Sequence, residues 1–355
     1  MKKKILSAIF AGLMAVNIFG GIDNAQAATR AEIAAINVKK PADFKYWSDK
    51  SAVKRQIINY VKDVTNKKSK NFIPVEDRIA VFDMDGTILC ETAPFGINAY
   101  FPMYTVFEYP TDNVNTEMRT RTQIWLEALQ NHNVTDEITK DRRKLVVELF
   151  NGVSEDEYSK RFKKFMEKPV EGLTNLKYGE SFYLPMIEVI SYLNANDFTV
   201  YLISGSERNL CRMLIDGTVD IKPNHVIGGD MSYKFESVHG EKYYIGGDKI
   251  VFGDKERTHN TNTYKIFSIK REIGKKPVLA FGNSSGDFDM LNYTITDNKY
   301  KAASFILMCD DLERELGDLK AAEKVKNAAQ KNGWTTVSMK DDFKTIYGDN
   351  VKRSR

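Results

Sequence analysis

The chain has 355 residues, of which 42% are hydrophobic and 28% are charged, and its formal net charge is +4. A chain of this length can bury a core large enough to fold without disulfide bonds. The small net charge, together with the lack of a basic stripe interleaved with aromatic residues, argues against a nucleic-acid-binding protein.

The first residues of the chain are typical of an export signal. Lys2–Lys4 forms a basic start, a largely apolar run follows from Ile5 to Ile22, and Ala25–Ala27 fits the small-residue pattern of a cleavage site. We therefore predict a signal peptide over residues 1–27, a mature chain that begins near Ala28 with a net charge of about +2, and a periplasmic or secreted protein. No other segment is long and apolar enough to span a membrane, so we expect no stable membrane association after cleavage.

The three cysteines, Cys90, Cys211 and Cys309, are an odd number, so at least one thiol is unpaired within the monomer. Cys211 and Cys309 lie in apolar contexts, which are more typical of buried thiols than of a disulfide. An exported protein without a disulfide framework must rely on its hydrophobic core for stability.

An apolar run from Ile79 to Phe82 predicts a buried parallel strand, and an amphipathic helix is predicted before it, over Val53–Val64. The strand delivers two carboxylates, Asp83 and Asp85, to the start of a loop, where Gly86 permits a tight turn. Two aspartates at the carboxyl end of a strand suit a metal-assisted attack on phosphorus. One carboxylate can act as the nucleophile while the other transfers the proton.

A long, charged insertion follows, over about residues 93–178, and its pattern is helical and poor in strands. Glu117–Gln130 and Asp141–Phe165 are the examples of this helical spacing. Glu91, just before the insertion, is either a substrate contact or a solvated acid. An aromatic patch at the start of the insertion is either the core of the insertion or a cage for a quaternary ammonium group. It consists of Phe95, Tyr100, Phe101, Tyr104 and Phe107.

The chain then returns to alternating helices and strands. A helix is predicted over Pro185–Ala195, and the β-branched run Thr199–Ile203 predicts a strand that ends in Ser204. Glu207–Ile215 predicts the next helix, so that an anion bound near Ser204 would lie at a helix N-terminus. Arg208, in the first turn of this helix, either binds substrate oxygens or forms a surface ion pair.

The last part of the chain continues the same alternation. Two strand-like pieces, Met231–Phe235 and Glu241–Ile245, predict a hairpin that turns at Gly240. Alternating strands and helices predict a parallel α/β sheet with its site at the carboxyl ends of the strands. The remaining predicted elements are an amphipathic segment over Lys265–Ile273, strands over Val278–Gly282 and Ala303–Met308, and a polar helix over Lys320–Gln330.

Four segments resemble, in order, the four motifs of the haloacid dehalogenase-like (HAD) phosphohydrolases, and the chain is similar to the phosphoserine-phosphatase-like branch of that superfamily. Asp83–Thr87 resembles motif I, Thr199–Gly205 resembles motif II, Lys265 stands in the position of the motif III lysine, and Val278–Asp287 resembles motif IV. The resemblance covers most of the chain from about residue 75 to about residue 345.

From this resemblance we expect an α/β fold, a HAD-like Rossmannoid parallel sheet with helices on both faces, plus a mainly helical C1-type cap. Residues 28–92 and 179–355 would form the catalytic core, and residues 93–178 would form the cap as a lid over the site. The implied activity is that of a Mg²⁺-dependent phosphomonoesterase. Because a lid limits substrate size, small phosphomonoesters should be good substrates, and large phosphoproteins and polynucleotides should be poor ones.

The family's roles transfer to the matching residues of this chain. Asp83 would attack the phosphorus to give an aspartyl-phosphate, and Asp85 would protonate the leaving oxygen and then activate the hydrolytic water. The Ser204 hydroxyl would hold the phosphoryl oxygens, and Lys265 would neutralise their charge. The implied substrate or phosphate ligands are Thr87, Glu91, Gly205, Ser206 and Arg208, and the implied Mg²⁺ ligands are Asp83, the backbone carbonyl of Asp85, Asn283 and Asp287.

Motif IV departs from the usual pattern, because Asn283 stands where the family commonly has an aspartate. The expected result is a weaker Mg²⁺ site with Asp83 and Asp287 as its only charged ligands. Two other functions stay open: a phosphotransferase or phosphomutase of the same fold, and a surface binding protein that has lost turnover, which only Asn283 favours. The aromatic patch and Glu91 favour a cationic leaving group such as choline, with phosphorylated sugars as the rival. The sequence does not indicate the oligomeric state.

Overall fold

The structure is a computed structural model, and it describes residues 27–91, 96–109, 111–131 and 133–354. Except for Ala27, the predicted signal peptide lies outside the described residues, as do Thr92 and Phe95. In the part of the chain that is described, no helix is both long enough and apolar enough to cross a membrane.

The described residues form a seven-stranded sheet whose strand order is β4-β3-β2-β1-β5-β6-β7. All neighbouring strands of this sheet are parallel except β3 and β4, which are antiparallel. The predicted parallel α/β sheet is therefore confirmed. In chain order the strands are β1 (Ile79–Phe82), β2 (Thr199–Glu207), β3 (Val226–Glu236), β4 (Lys249–Thr258), β5 (Leu279–Gly282), β6 (Ala303–Met308) and β7 (Thr335–Ser338).

Of the helices among the described residues, two precede β1, four lie in the insertion, and the others lie between the later elements or after the last strand. They are α1 (Arg30–Ala34), α2 (Ala52–Thr65), α3 (Ile97–Phe107), α4 (Thr116–Gln130), α5 (Asp136–Phe150), α6 (Glu155–Met166), α7 (Leu184–Asn194), α8 (Arg208–Ile215), α9 (Thr263–Ser268), α10 (Phe288–Ile295), α11 (Leu319–Asn332) and α12 (Met339–Asp342). Short 3₁₀ turns lie at Pro41–Asp43, Val75–Asp77, Tyr178–Glu180 and Pro223–His225, and a turn of π-helix at Ile269–Ile273 extends α9.

The core lies on both faces of the sheet. Successive side chains of a strand point to opposite faces, and in β1 Ala80 and Phe82 enter one buried cluster while Ile79 and Val81 enter the other. Helices α2 and α7 contribute to the first cluster, and α10 and α11 contribute to the second. Because β1 is buried on both faces, its sequence is a continuous apolar run, and its carboxyl end opens at the edge where β2 and β5 also end.

The insertion between β1 and β2 contains the four helices α3 to α6, and its buried aromatic side chains are continuous with the hydrophobic cluster on one face of the sheet. The prediction ran one helical segment over Asp141–Phe165, whereas the structure ends α5 at Phe150 and begins α6 at Glu155. Gly152 has a φ of 79°, which lets the chain turn there, and the Ser154 side chain caps α6. Two backbone hydrogen bonds then join this turn to β4, from Gly152 N to Phe252 O (2.8 Å) and from Phe252 N to Val153 O (2.9 Å).

The predicted hairpin is longer than expected, and its second strand was misplaced. Glu241–Ile245 lies in the loop between β3 and β4, and the second strand runs over Lys249–Thr258 instead. The Asp248 carboxylate accepts hydrogen bonds from the backbone N–H groups of Val238 (2.9 Å) and Ile245 (2.8 Å), so it holds this segment as a closed loop. Cys90 and Cys211 are buried, and the Cys90 thiol donates a hydrogen bond to Glu315 Oε1 (3.6 Å).

Candidate active site

The centre of the site is the ammonium group of Lys265, which lies below the carboxyl ends of the central strands. Lys265 is only 2% exposed, and its Nζ donates hydrogen bonds to Asp83 Oδ1 (2.5 Å), Asp287 Oδ1 (2.6 Å) and the backbone carbonyl of Ile203 (2.8 Å). Burial alone lowers the pKa of an ammonium, but the Asp287 and Asp83 carboxylates raise the Lys265 pKa above its ordinary value. The three donors of this charged group are therefore all satisfied, and Lys265 links motifs I, II and IV.

Asp83 follows β1 directly and is 6% exposed. Its backbone N–H donates to the carbonyl of Phe281 in β5 (2.9 Å), and its Oδ2 accepts only a longer hydrogen bond from the Thr87 hydroxyl (3.3 Å) among the described residues. Burial and the Asp287 carboxylate raise the pKa of Asp83, in spite of the opposing effect of Lys265. One oxygen of Asp83 is thus held by the ammonium, while the other has a weak partner and is suited to attack an electrophile.

Asp85 lies two residues further and is partly exposed. Its Oδ2 accepts a hydrogen bond from the Ser206 hydroxyl (2.6 Å), which fixes the carboxyl group beside the motif II loop. Burial raises the pKa of Asp85, and the hydrogen bond from Ser206 opposes that rise. The arrangement places a carboxyl that favours protonation next to the nucleophile candidate.

The motif II residues lie where the pairing of β2 with β3 is irregular, between Ile203 and Glu207. Ser204 and Ser206 are buried, and the Ser206 N–H donates to Ser204 Oγ (3.0 Å). The helix after them begins at Arg208, and the Glu207 carboxylate caps it by accepting from the Leu210 N–H (2.8 Å). The expected anion site at this helix N-terminus is therefore already partly occupied by the protein's own cap.

Arg208 points to other acids. Its guanidinium binds the Asp230 carboxylate (2.7 Å from Nε) and the Glu272 carboxylate (2.7 Å from Nη1). Those partners raise the Arg208 pKa further above its ordinary value. Of the two alternatives for Arg208, the structure gives it the ion-pair role, so it is not among the residues that the structure gathers around Asp83.

Motif IV closes the site from the β5 side. Asp287 is buried, and its Oδ2 accepts from the backbone N–H groups of Asn283 (3.0 Å) and Ser284 (3.1 Å), while its Oδ1 faces Lys265. The Asn283 side chain donates from Nδ2 to Glu91 Oε2 (2.6 Å). A predicted substrate contact and a predicted metal ligand therefore touch each other at the entrance of the site.

Much of the surface of Glu91 is exposed to solvent, but its carboxyl group lies in the cleft close to Asp85 and Asp83. The protein atoms around the carboxyl, together with Asp85 and Asp83, raise the Glu91 pKa to about 8, although Asn283 opposes the rise. Asn283 therefore acts as the hydrogen-bond donor to the Glu91 carboxyl group at this crowded acidic point.

The oxygen donors at this point fit a hard divalent cation. The Asp83 and Asp287 carboxylates approach the same Nζ, and the Asn283 amide and the Asp85 backbone belong to the same pair of loops. Mg²⁺ accepts such oxygen ligands and usually keeps several waters. Within residues 27–91, 96–109, 111–131 and 133–354, no three His, Cys, Asp or Glu side chains are already arranged around a cation position. The amide and the carbonyl would have to complete the ligand set.

Phe101 and Tyr104 of the aromatic patch are part of the core of the insertion. Phe101 is fully buried and packs against Phe150, Tyr158 and Phe162 with ring centroids 5.0–5.5 Å apart. Tyr104 is also buried. These rings pack against one another, so the quaternary-ammonium cage loses its structural basis.

Sequence reasoning missed Asn260, which is fully buried beside motif II. Its Nδ2 donates to the backbone carbonyl of Ser204 (3.0 Å), and its Oδ1 has no hydrogen-bond partner among the described residues. No spacing pattern marks an asparagine in a short polar segment. A signal exists only in three dimensions, in the burial of a polar side chain between two motifs.

Comparison with known proteins adds the family. A family model of haloacid dehalogenase-like hydrolases matches residues 80–292, and no curated protein matches the chain. A functionally unknown protein from Anaerococcus prevotii DSM 20548 has a similar structure, with a TM-score of 0.50, 15% identity, and coverage of 82% of this chain and 92% of that chain. A protein of unknown function from Bordetella pertussis Tohama I has a TM-score of 0.49 and 14% identity, with coverage of 73% of this chain and 97% of that chain. A phosphoserine phosphohydrolase-like protein from Francisella tularensis has a TM-score of 0.40 and 12% identity, with coverage of 73% of this chain and 94% of that chain.

At 15% identity, the likeness to the Anaerococcus structure shows the fold alone. The family match is more informative, because it runs from β1 into α10, spans well over half of the chain, and includes all four motif segments. The resemblance seen in the motifs is confirmed. The chain belongs to the haloacid dehalogenase-like hydrolase family.

Proposed function

We propose that this hydrolase is a Mg²⁺-dependent phosphomonoesterase that acts on small substrates through an aspartyl-phosphate on Asp83. The observation that carries the proposal is the contact of one buried ammonium with Asp83 and Asp287. That contact holds Asp83 Oδ1 and leaves Oδ2 with the Thr87 hydroxyl at 3.3 Å. A buried carboxylate with one fixed and one available oxygen is suited to nucleophilic attack on phosphorus.

In the first half-reaction, Asp83 Oδ2 forms a bond to phosphorus while the bond from phosphorus to the leaving oxygen breaks. The leaving oxygen takes its proton from Asp85, because burial raises the pKa of that carboxyl and favours its protonated form. The Ser206 hydroxyl holds Asp85 Oδ2, so that the other oxygen of Asp85 is the one that carries the proton.

In the second half-reaction, Asp85 acts as the base. It takes a proton from a water molecule that attacks the phosphorus, and the bond between phosphorus and Asp83 breaks. Phosphate leaves, Asp83 is again a carboxylate, and Asp85 is again protonated. Lys265 keeps its charge throughout, because its carboxylate partners hold its pKa above the ordinary value.

The residues suited to hold Mg²⁺ are Asp83, Asp287, the Asn283 amide and the Asp85 backbone carbonyl. When bound, the cation would neutralise charge on the phosphoryl oxygens, which is the main need of phosphoryl transfer. Asp83 and Asp287 contact one ammonium, and Asp85 lies close enough to raise the pKa of Asp83, so the acidic groups of the site outnumber this one cation.

The proposal is tested with the purified chain from Ala28 onward and a panel of small phosphomonoesters, by measuring release of inorganic phosphate. Asp83→Asn should lower turnover by about 10³-fold or more, because the nucleophile is lost, and exhaustive chelation should abolish activity until Mg²⁺ returns. Asp254→Asn, at an exposed position of β4, is the matched control and should leave activity unchanged.

Near-normal phosphate release by Asp83→Asn would show that the covalent mechanism is wrong. If substrate disappears without phosphate release and an added alcohol or sugar becomes phosphorylated, the phosphotransferase alternative replaces the hydrolase.

A further inference from the structure

A small pocket lies between the insertion and the core, next to the motif II loop. Arg142, Arg143 and Val146 of α5 line one side of it, and Gly205, Asp230 and Glu256 line the other. The space that the centre of a water molecule could occupy in it is about 80 Å³, which is several times what one bound water needs. The pocket can therefore take a small chemical group, and Gly205 places it directly beside the motif II residues.

Arg142 is the unusual group in this pocket. It is partly buried, its guanidinium lies over the Trp125 ring with 5.5 Å between the guanidinium carbon and the ring centroid, and it forms no hydrogen bond or ion pair with any described residue. Burial and the neighbouring Arg143 lower the Arg142 pKa from its ordinary value, and the Glu256 carboxylate, which Arg143 already binds, opposes that shift. A partly buried guanidinium that stacks on an aromatic ring but has no carboxylate in hydrogen-bond contact can still gain charge-assisted hydrogen bonds from an anionic ligand.

The other charged groups around this pocket already have partners. The pairs are Asp230 with Arg208, Glu256 with Arg143 and His259, and Glu207 with the backbone N–H of Leu210. Burial also raises the Glu207 pKa to about 7, which reduces its negative charge near neutral pH. Among the described residues that line this pocket, Arg142 is thus the cation that has no ion pair and remains available for a ligand.

We propose that Arg142 is a specificity-determining residue that binds a second anionic group of the substrate, so that the preferred substrates are phosphomonoesters that also carry a carboxylate or a second phosphate. This inference rests on the proposed phosphatase activity. A guanidinium presents a planar pair of N–H donors that matches a carboxylate or phosphate, and the size of the pocket admits such a group. The same positive charge disfavours a choline head group.

The experiment compares kcat/KM for 3-phosphoglycerate, 1,3-propanediol bisphosphate, glycerol 3-phosphate and phosphocholine, with p-nitrophenyl phosphate as a substrate for the chemistry alone. The two doubly anionic substrates distinguish a carboxylate from a phosphate as the second group. Arg142→Gln should lower kcat/KM for the preferred doubly anionic substrate by about 10- to 100-fold, because a charge-assisted hydrogen bond is lost. It should leave glycerol 3-phosphate and p-nitrophenyl phosphate unchanged.

Lys144→Gln is the matched control, because it removes one positive charge from an exposed position of the same helix outside this pocket. It should not alter the preference. Arg142→Lys keeps the charge without the planar fork and should fall between wild type and Arg142→Gln.

Binding is measured separately by titrating 3-phosphoglycerate and the bisphosphate into Asp83→Asn, with and without Arg142→Gln, so that the result does not depend on turnover. Weaker binding in the double variant supports the inference. Equal binding, a preference for phosphocholine, or an equal loss for every substrate in Arg142→Gln overturns it. Loss of the phosphatase itself would appear as a failure to hydrolyse p-nitrophenyl phosphate, which is a different outcome.

Discussion

Asn283, Glu91 and Gly86 meet at one point beside the predicted metal position. A Cβ added at Gly86 would lie 1.9 Å from Asn283 Nδ2 and 2.5 Å from Glu91 Oε2, and Gly86 has a φ of 74°. Glycine is required there both for its backbone conformation and for space. The close approach lets the Asn283 amide hydrogen-bond to Glu91, which an aspartate at this position would not do while both acids are ionised.

Replacing Asn283 by aspartate tests how this junction affects the metal. Asn283→Asp adds a charged ligand, so we expect Mg²⁺ to bind tighter, by about 10-fold in the concentration that gives half-maximal activity. It also places two acids in contact, so the free energy of unfolding should fall. Asn283→Asp with Glu91→Gln restores an amide–carboxylate pair and should keep the tighter binding without the loss of stability. Magnesium titrations and urea unfolding of the three proteins measure both effects. Unchanged Mg²⁺ dependence in both variants would count against Asn283 as a ligand.

At the scale of elements, the segment Asn260–Asn262 connects three motifs. The Asn260 side chain donates a hydrogen bond to the carbonyl of Ser204. Thr261 packs closely on Gly205, because a Cβ added at Gly205 would lie 2.8 Å from the Thr261 methyl group. The Asn262 N–H donates to the carbonyl of Gly286 (2.9 Å). Asn262 has φ 52° and ψ −132°, a conformation that side chains rarely adopt. The segment therefore fixes the start of α9, and with it the position of Lys265.

Asn260→Ala is expected to affect catalysis as well as stability. The Ser204 carbonyl would lose its buried donor, at a cost of about 1–3 kcal/mol in unfolding free energy, and the motif II loop would be less fixed, so kcat should fall by about 10-fold with a smaller change in KM. Asn292→Ala is the control, because the Asn292 side chain accepts a hydrogen bond from Trp334 Nε1 (3.1 Å) and donates one to Asn332 Oδ1 (3.4 Å), and neither partner belongs to a motif loop. The control should lose stability but keep kcat. If both variants keep kcat, Asn260 has only a structural role.

Contacts with strand β4 hold the insertion in place. Its α5–α6 turn hydrogen-bonds to β4, and Arg143 of α5 binds Glu256 of β4. The antiparallel strand at the sheet edge thus supports the helices above the site, and it places Arg142 at the pocket.

The strands were predictable where burial is complete on both faces. Val81 and Phe281 belong to continuous apolar runs, so the sequence alone identified the strands that end at Asp83 and Asn283. Strand β4 was misplaced because half of its residues are charged and it lies at an edge of the sheet, where the apolar signal is weak. The end of α5 and the start of α6 depend on the turn at Gly152, and the spacing of apolar residues along a helix does not reveal such a turn.

Within the site, the residues of the motif loops were predictable, and the residues fixed by distant partners were not. Arg208 has Asp230 and Glu272 as ion-pair partners, whereas Arg142 stacks on Trp125 and forms no ion pair with any residue that the structure describes. Neither fact can be read from the neighbouring sequence. The aromatic patch had two interpretations of equal chemical sense, and the packing of Phe101 against α5 and α6 decided between them.

At the scale of the whole molecule, the sheet order brings four distant segments to one edge. Strand β1 is central, with β2 on one side and β5 on the other, so motifs I, II and IV end next to each other, and α9 adds Lys265 from below. The two buried clusters on either face of the sheet keep these strand ends in place. The chemistry proposed for the protein depends on this arrangement and on one covalent bond to Asp83.

Trapping that bond is the most direct test. Asp85→Asn is mixed with p-nitrophenyl phosphate, whose leaving group needs no proton, then quenched and reduced with borohydride, and position 83 is read by peptide mass spectrometry. The proposed mechanism predicts homoserine at position 83, from reduction of an aspartyl-phosphate, only in samples that received substrate. The intermediate should be more abundant than in wild type, because Asp85 is missing for its hydrolysis. Release of p-nitrophenol with an unmodified Asp83 at every quench time would contradict the proposed mechanism.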